Sequence, residues 1–398
     1  MSQAAAIVDD VRQRGEPALL EHALRLGDIR PGERLIYDRK HMEASLKSLP
    51  LANQKLIFRT ADRIRAFAEA QYRCFRDFSL DIEGGQAGHF IEPMERAGCY
   101  APGGRYPLPS SVLMTATPAK VAGVENIWVA SPRPTPVTLA ACLASGADSL
   151  LAVGGAQAIA AMAFGAGRIP PCDVIVGPGN KYVTAAKKIV AGYVKIDMPA
   201  GPSELIVFAD EKADPALIAA DLLAQAEHDP DSLPVLVALN KSTISEAEKE
   251  MERQLLSLPS HKVARAALKN GFAVLAPDLD TVIAVCNRLA PEHLEVLTDN
   301  AWKIRKRFKY YGALFIGSKS AQVLGDYGAG PNHVLPTGGA ARFSGGLSVI
   351  HFLRFPTWLH IDKPANARKL FHETAQMARL EGLEGHSRAA ELRLLSKK

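Results

Sequence analysis

Cysteine is scarce in this chain, long apolar runs are missing, and neither sign of charge prevails. The five cysteines, Cys74, Cys99, Cys142, Cys172 and Cys286, are odd in number and show no CxxC spacing. That excludes a disulfide-built domain and predicts buried thiols in a reducing compartment. No stretch is apolar over a bilayer-spanning length. The opening MSQAAAIVDDVRQRGEPALLEHAL carries acidic residues where a signal peptide has a basic end and an unbroken apolar core. It is expected to be helical and the protein cytoplasmic, with no membrane partner. Lys plus Arg number 47 and Asp plus Glu 42, a net charge of +5, too small over this length to point to nucleic acid. The basic run Arg305, Lys306, Arg307 and Lys309, with Trp302 and Phe308 among it, sits in no nucleic-acid module and is expected to be a solvated helix face or subunit rim. A GxGxxG fingerprint and internal repeats are also missing, which removes the ordinary Rossmann signature and solenoid architectures.

Hydrophobic residues make up 47% of 398, too much for one domain of common size, so two or more domains are expected. Residues 1 to about 85 read as mostly helical. Residues 51–80 contain no Pro or Gly and place Ile57, Ile64, Phe67, Cys74 and Phe78 at steps of seven, three, seven and four, the spacing of an amphipathic helix. From Gly98 the pattern changes. After the loop APGGRYPLPSS, the helices TATPAKVAGV, TLAACLASGA, AQAIAAMAFG and NKYVTAAKKIVAGY alternate with the apolar strands NIWVASP, SLLAVGG, CDVIVGPG and SELIVFAD. From Ala213 a second alternation runs through DPALIAADLLAQAEHD, PVLVALN, SEAEKEMERQLLSL, GFAVLAP, TVIAVCNRLAP, LEVLTD and GALFIGS. Such alternation predicts an α/β fold with mainly parallel sheets covered by helices. We therefore expect two incomplete Rossmann-like domains, 95–211 and 212–345, a helical N-terminal region 1–94 and a C-terminal helical tail 346–398. Binding sites in such sheets gather at the carboxyl ends of the strands, where the Gly-rich stretches after Val153 and Val176 fall.

Four segments carry candidate chemistry. In DLLAQAEHDPDS, Gln225 and His228 are three residues apart, which on a helix places both on one face; alone, the pair reads rather as a surface histidine at a helix end, because glutamine is an uncommon metal ligand. GDYGAGPNHVLPTGG places Asp326 and His333 in a glycine- and proline-punctuated loop, where such residues serve a site or a turn. His386 follows Glu381 and Glu384 in LEGLEGHSR, a site or a polar helical face. PEHLEV holds adjacent Glu292 and His293 at a helix–strand corner, an acid/base pair suited to removing a proton from an alcohol.

Taken together, these segments resemble the histidinol dehydrogenase family. The likeness runs from the middle of the first hundred residues to the carboxyl terminus through YAPGGRYPLPSSVLMTATPAKVAGV, VGGAQAIAAMAFG, VGPGNKYVTAAK, IDMPAGPSELIVFAD, DLLAQAEHDPDS, APEHLEV, GDYGAGPNHVLPTGGAARFS and EGLEGH, in order. The resemblance implies a zinc- and NAD-dependent enzyme that takes an amino alcohol, L-histidinol, through an aldehyde to a carboxylate in two hydride transfers. It also implies a homodimer whose sites draw on both subunits. By motif, one Zn2+ per site would be held by Gln225, His228, Asp326 and His386. Glu292 and His293 take the acid/base roles; Ser203, His333 and Glu381 line the substrate pocket, where the zinc ligands also meet substrate. Tyr100, Gln157 and Asn180 match the NAD contacts, in the 95–211 domain.

Two departures bear on the substrate. The region before Gly98 reads shorter than in the usual enzyme, and ARFSGGLSVIHF and CYAPGGRYPLPSS differ from the usual forms. Relatives that oxidise another small polar alcohol, such as a sulfonated propanediol, share this GGRYP and SGGLS flavour. A non-enzymatic α/β binding protein is the remaining alternative, and it predicts no metal.

Overall fold

Apolar strands bounded by proline and glycine assemble into two separate parallel sheets. The structure, a computed structural model, describes residues 2–103, 107–198 and 201–395. Residues 104–106 of the predicted APGGRYPLPSS loop and 199–200 of IDMPAGPSE lie outside the described residues. The chain divides into two units, Met1–Gln71 with Met94–Phe352, and Tyr72–Pro93 with Leu353–Lys398.

In the first unit, a six-stranded sheet runs in the order Ile36–Asp38, Ser149–Leu151, Asn126–Ala130, Arg96–Tyr100, Val174–Val176, Lys195–Ile196. All neighbours are parallel except Ile36–Asp38, which pairs antiparallel with Ser149–Leu151. The chain passes from Arg96–Tyr100 outward on one side, then returns to Val174–Val176 on the other. The switch point therefore lies between Tyr100 and Gly177, where open α/β sheets bind ligands. Helix Pro109–Ala122 begins inside the stretch read as loop, because Pro109 suits the first helical turn. Gly123 and Gly146, both left-handed, end that helix and Pro136–Ser145.

The second sheet is five-stranded and wholly parallel, ordered Phe272–Leu275, Leu233–Ala238, Glu204–Ala209, His293–Leu297, Ala313–Ile316. His293–Leu297 is buried along its length, as a strand covered on both faces must be. Ile206, Phe208, Leu294 and Val296 pack with Val282, Ile283 and Cys286 of helix Leu279–Leu289 on one face. Leu205, Val207, Ala209 and Leu297 meet Ile218 and Leu222 of helix Pro215–Ala226 on the other. Side chains alternate along a strand, so His293, in register with Leu205, faces the helix that carries Gln225. The fold is the α/β architecture expected, with helical segments at both chain ends.

Further expectations change in the helical N-terminal region. The helix predicted over 51–80 ends at Tyr72, with Ile57, Ala61, Ile64 and Ala68 buried. Phe78 instead opens strand Phe78–Ile82, which pairs with Gly85–His89 and through it with Thr357–Ile361 in the second unit. A helical spacing continued across Tyr72 because Cys74 and Phe78 happened to keep the step; both are exposed. Cys74 thus departs from the buried thiols expected, whereas Cys99, Cys142, Cys172 and Cys286 are buried. Around Arg305, the guanidinium lies 3.8 Å from the Trp302 ring centroid and Lys306 is exposed, so this is a solvated face with Phe308 turned into the core. Among the described residues no helix is long and apolar enough to cross a membrane.

Candidate active site

Glu292 and His293 sit where helix Leu279–Leu289 turns into strand His293–Leu297. Ala290 at φ 48 makes the corner. The neighbouring strand begins at Glu204, and its backbone holds both residues. The Glu204 N–H donates to Glu292 Oε2 at 2.8 Å, and the Ser203 hydroxyl donates to the same oxygen at 2.6 Å. His293 Nδ1 lies 3.1 Å from the Glu204 carbonyl. A carbonyl only accepts, so Nδ1 carries the proton and Nε2 is left as the basic nitrogen. Burial pushes the His293 imidazole down toward its neutral form, against the pull of the Asp326 charge and the Glu204 carbonyl. Burial pushes the Glu292 carboxyl up to about 8, against its two hydrogen bonds. The Glu204 side chain ties in a further segment by accepting the Gly338 N–H at 2.8 Å.

That segment carries His333. His333 Nδ1 donates to the Asp326 carbonyl at 3.1 Å and stands 3.9 Å from the Asp326 carboxylate. Its imidazole too is pushed down by burial, and it lies within electrostatic reach of Asp326, His293 and His228. Asp326 is not in a loop as expected: it belongs to the short helix Val323–Tyr327, where the Gln322 amide donates to Oδ2 at 2.7 Å. Gly312, Leu335 and Pro336 close the floor. A methyl on Gly312 would meet the Glu292 carbonyl oxygen at 2.6 Å and Pro336 at 3.2 Å, so only glycine allows this approach.

Gln225 and His228 do not share a helix face. Helix Pro215–Ala226 ends just after Gln225, and His228 stands exposed on the turn beyond its cap. Spacing assumed that the helix continued; Pro230 follows too closely for that. Gln225 is fully buried, yet among the described residues neither atom of its amide has a hydrogen-bond partner, which is costly in a folded protein. One turn earlier on the same helix, Asp221 meets the buried Glu295, two residues along the strand from His293. Burial and the Asp221 charge push the Glu295 carboxyl up to about 9. Sequence reasoning missed Glu204, Asp221 and Glu295. The first acts through its backbone, and the others face a helix whose side of the sheet had to be known.

Among the described residues no three His, Cys, Asp or Glu side chains converge to hold a metal ion. The set implied by resemblance includes a glutamine, and its His386 is exposed on helix Glu384–Leu395 of the second unit. Glu381, also exposed there, caps helix Arg368–Leu380.

The three residues matched to dinucleotide contacts sit at the carboxyl ends of the first sheet. Tyr100 ends its strand, and its hydroxyl accepts the Gly155 N–H at 3.1 Å. Gln157 is buried; its amide donates to Asp28 at 2.8 Å, and that carboxylate also takes the Gly154 N–H at 3.0 Å. Asn180 caps helix Lys181–Val190, accepting from the N–H groups of Tyr182 and Val183 at 3.0 and 3.2 Å. The turn leading to Asn180 lies against Tyr100: a methyl on Gly177, at φ +119, would stand 2.1 Å from the Tyr100 carbonyl oxygen.

This geometry can be set beside known proteins. The histidinol dehydrogenase family model matches residues 1–394. The histidinol dehydrogenase of Thermus thermophilus is 44% identical over 388 residues, covering 97% of this chain and 93% of that protein. That of Methylococcus capsulatus is 41% identical over 395 residues, covering 98% and 90%. The crystal structure of histidinol dehydrogenase from Elizabethkingia anophelis superposes with a TM-score of 0.92 at 32% identity, covering 99% of this chain and 92% of that one. With its buried acid/base pair at a strand corner, this chain is an oxidoreductase and belongs to the histidinol dehydrogenase family.

Proposed function

We propose that this enzyme oxidises L-histidinol to L-histidine through the aldehyde, with NAD as hydride acceptor and zinc at the substrate site. The observation that carries the reading is the pairing of a neutral, Nδ1-tethered His293 with the desolvated Glu292 beside it. In the first stage His293 Nε2 takes the hydroxyl proton of the alcohol. In the second, Glu292 in its carboxylate form takes a proton from the water that adds to the aldehyde carbon while His293 returns its first-stage proton to the aldehyde oxygen; His293, neutral again, then takes a hydroxyl proton of the hydrate so formed. Ser203 holds Glu292 Oε2 in place while His333 offers its own Nε2 toward substrate. A base works best when its pKa lies near working pH; burial moves Glu292 that way, while it keeps His293 neutral, with Nε2 free to accept a proton.

Gln225, His228, Asp326 and His386 would hold the zinc. The orphaned amide of Gln225 supports this, since a metal would satisfy its oxygen. Bound zinc supplies positive charge that orients an amino alcohol and polarises its oxygen. Glu381 would answer the distal nitrogen of the imidazole. Tyr100, Gln157 and Asn180 would contact NAD, which supplies the acceptor for each hydride. A cytoplasmic homodimer with shared sites completes the reading.

The test is a panel of histidinol, histidinal and short hydroxylated or sulfonated alcohols, read by NADH formation with bound zinc counted. Histidine and two NADH per histidinol are expected by the proposed stoichiometry, together with zinc that disappears in His228→Ala. Oxidation of another alcohol while histidinol stays untouched would overturn the substrate assignment.

A further inference from the structure

Lys187 and Asp197 form an ion pair in the interior of the first sheet's domain, their side chains 2% and 0% exposed. Neither takes part in the acid/base chemistry above. Both reach the same glycine. Lys187 Nζ donates to the Gly177 carbonyl at 2.9 Å, and Asp197 Oδ2 accepts the Gly177 N–H at 2.7 Å. Asp197 Oδ1 takes the Met198 N–H at 2.7 Å besides the ammonium. A buried ion pair adds little net stability over an apolar pair of similar shape, but when its remaining hydrogen bonds are satisfied it fixes local geometry closely.

The geometry fixed here is that of the turn 177–180. Gly177 lies flush on the Tyr100 backbone, and a methyl on Gly179 would stand 2.3 Å from Val183. At the far end Asn180 is locked as the cap of helix Lys181–Val190. Lys187 belongs to that same helix, so helix, turn and the strand before Asp197 are tied through one residue, Gly177.

We infer that Lys187 and Asp197 are the positioning pair of the dinucleotide site: holding both the N–H and the C=O of Gly177, they set the turn against Tyr100 and so the place of Asn180. The inference rests on the reading that Tyr100 and Asn180 contact NAD.

The test uses the full-length protein, the double variant K187M/D197N, which removes both charges so that neither is buried alone, and the conservative K187R. NAD and histidinol are each titrated by calorimetry, separately, and amide exchange is followed over residues 177–183. The double variant should bind NAD on the order of tenfold more weakly, with faster exchange in that segment and unchanged histidinol affinity. K187R should recover most of the NAD affinity. A folded double variant whose NAD affinity stays within about twofold of the parent, or which loses histidinol affinity in equal measure, overturns the inference. Should the double variant fail to fold, G177A carries the test, because its Cβ displaces the turn while the ion pair remains; unaltered NAD affinity there overturns it equally. A parent protein that binds no NAD defeats the cofactor reading first, before any variant is compared, and this inference with it.

Discussion

The two sheets of the first unit share a strand order but use opposite ends. In the first, Tyr100, Gly154 to Gln157 and Gly177 to Asn180 all follow the carboxyl ends of strands. In the second, Ser203, Glu204, Glu292 and His293 stand at the amino ends, on the same two central strands that flank its switch point. At the carboxyl end of the first sheet, Tyr100, Asp28 and Asn180 already occupy the N–H groups of two helix starts, and the Gln157 side-chain oxygen is left buried without a hydrogen-bond partner among the described residues. The amino end of the second keeps unmet demands, an orphaned Gln225 amide, a carboxyl raised by burial and two imidazoles held neutral. One end is a mostly finished scaffold against which a ligand can lie. The other stores polarity that only a ligand can satisfy.

The contrast can be broken most sharply at His293. Replacing it with Asn should cost ~10²–10⁴ in rate in histidinol- and histidinal-fed assays alike, with little change in melting temperature. Glu292→Gln should cost a similar factor from histidinal and less in the conversion of histidinol to the aldehyde. Equal losses from both substrates would undo the division of roles.

Stability should move in opposite directions at the two ends. In metal-free protein, Gln225→Met removes an unsatisfied buried amide and should stabilise by about 1–3 kcal/mol, whereas Tyr100→Phe strands the Gly155 N–H and should destabilise by about the same amount. Denaturant unfolding of both variants reads the signs directly, and a shared sign would dissolve the distinction between finished and unfinished ends.

A pH series sharpens the same point. Glu292 has its folded value raised from an ordinary 4.5 to about 8, so across that window the native state binds more protons than the unfolded one. Its contribution to stability is therefore full below about 4.5, declines as pH rises toward about 8, and is flat above. Glu292→Gln, with chelator present, should become progressively more stable than the parent over that rise; a constant difference would mean that Glu292 is ionised throughout. The smallest effect belongs to the basic face: Lys306→Gln should shift stability by under ~0.5 kcal/mol and leave NADH formation unchanged.

Much of this was legible in the chain itself. Apolar runs with glycine and proline punctuation located the five strands of the second sheet and three of the first. They did not mark Ile36–Asp38, Arg96–Tyr100 or Lys195–Ile196 as strands, and SELIVFAD, grouped by sequence with the first domain, forms Glu204–Ala209 at the centre of the second sheet. Adjacency placed Glu292 and His293 at a corner. Periodicity failed where a spacing persisted past the end of a helix, at Phe78 and at His228, because a step of three or four says nothing about whether the backbone still turns.

Local sequence determined the elements and named the residue types able to handle a proton, because side-chain chemistry and backbone preference are local properties. Tertiary structure alone decided which nitrogen of His293 is basic, that Glu204 holds both members of the pair, that Asp221 meets Glu295, and that Lys187 and Asp197 clamp Gly177. Each depends on a residue far along the chain and on burial, and burial shifts a proton or orphans an amide only after the sheets have closed.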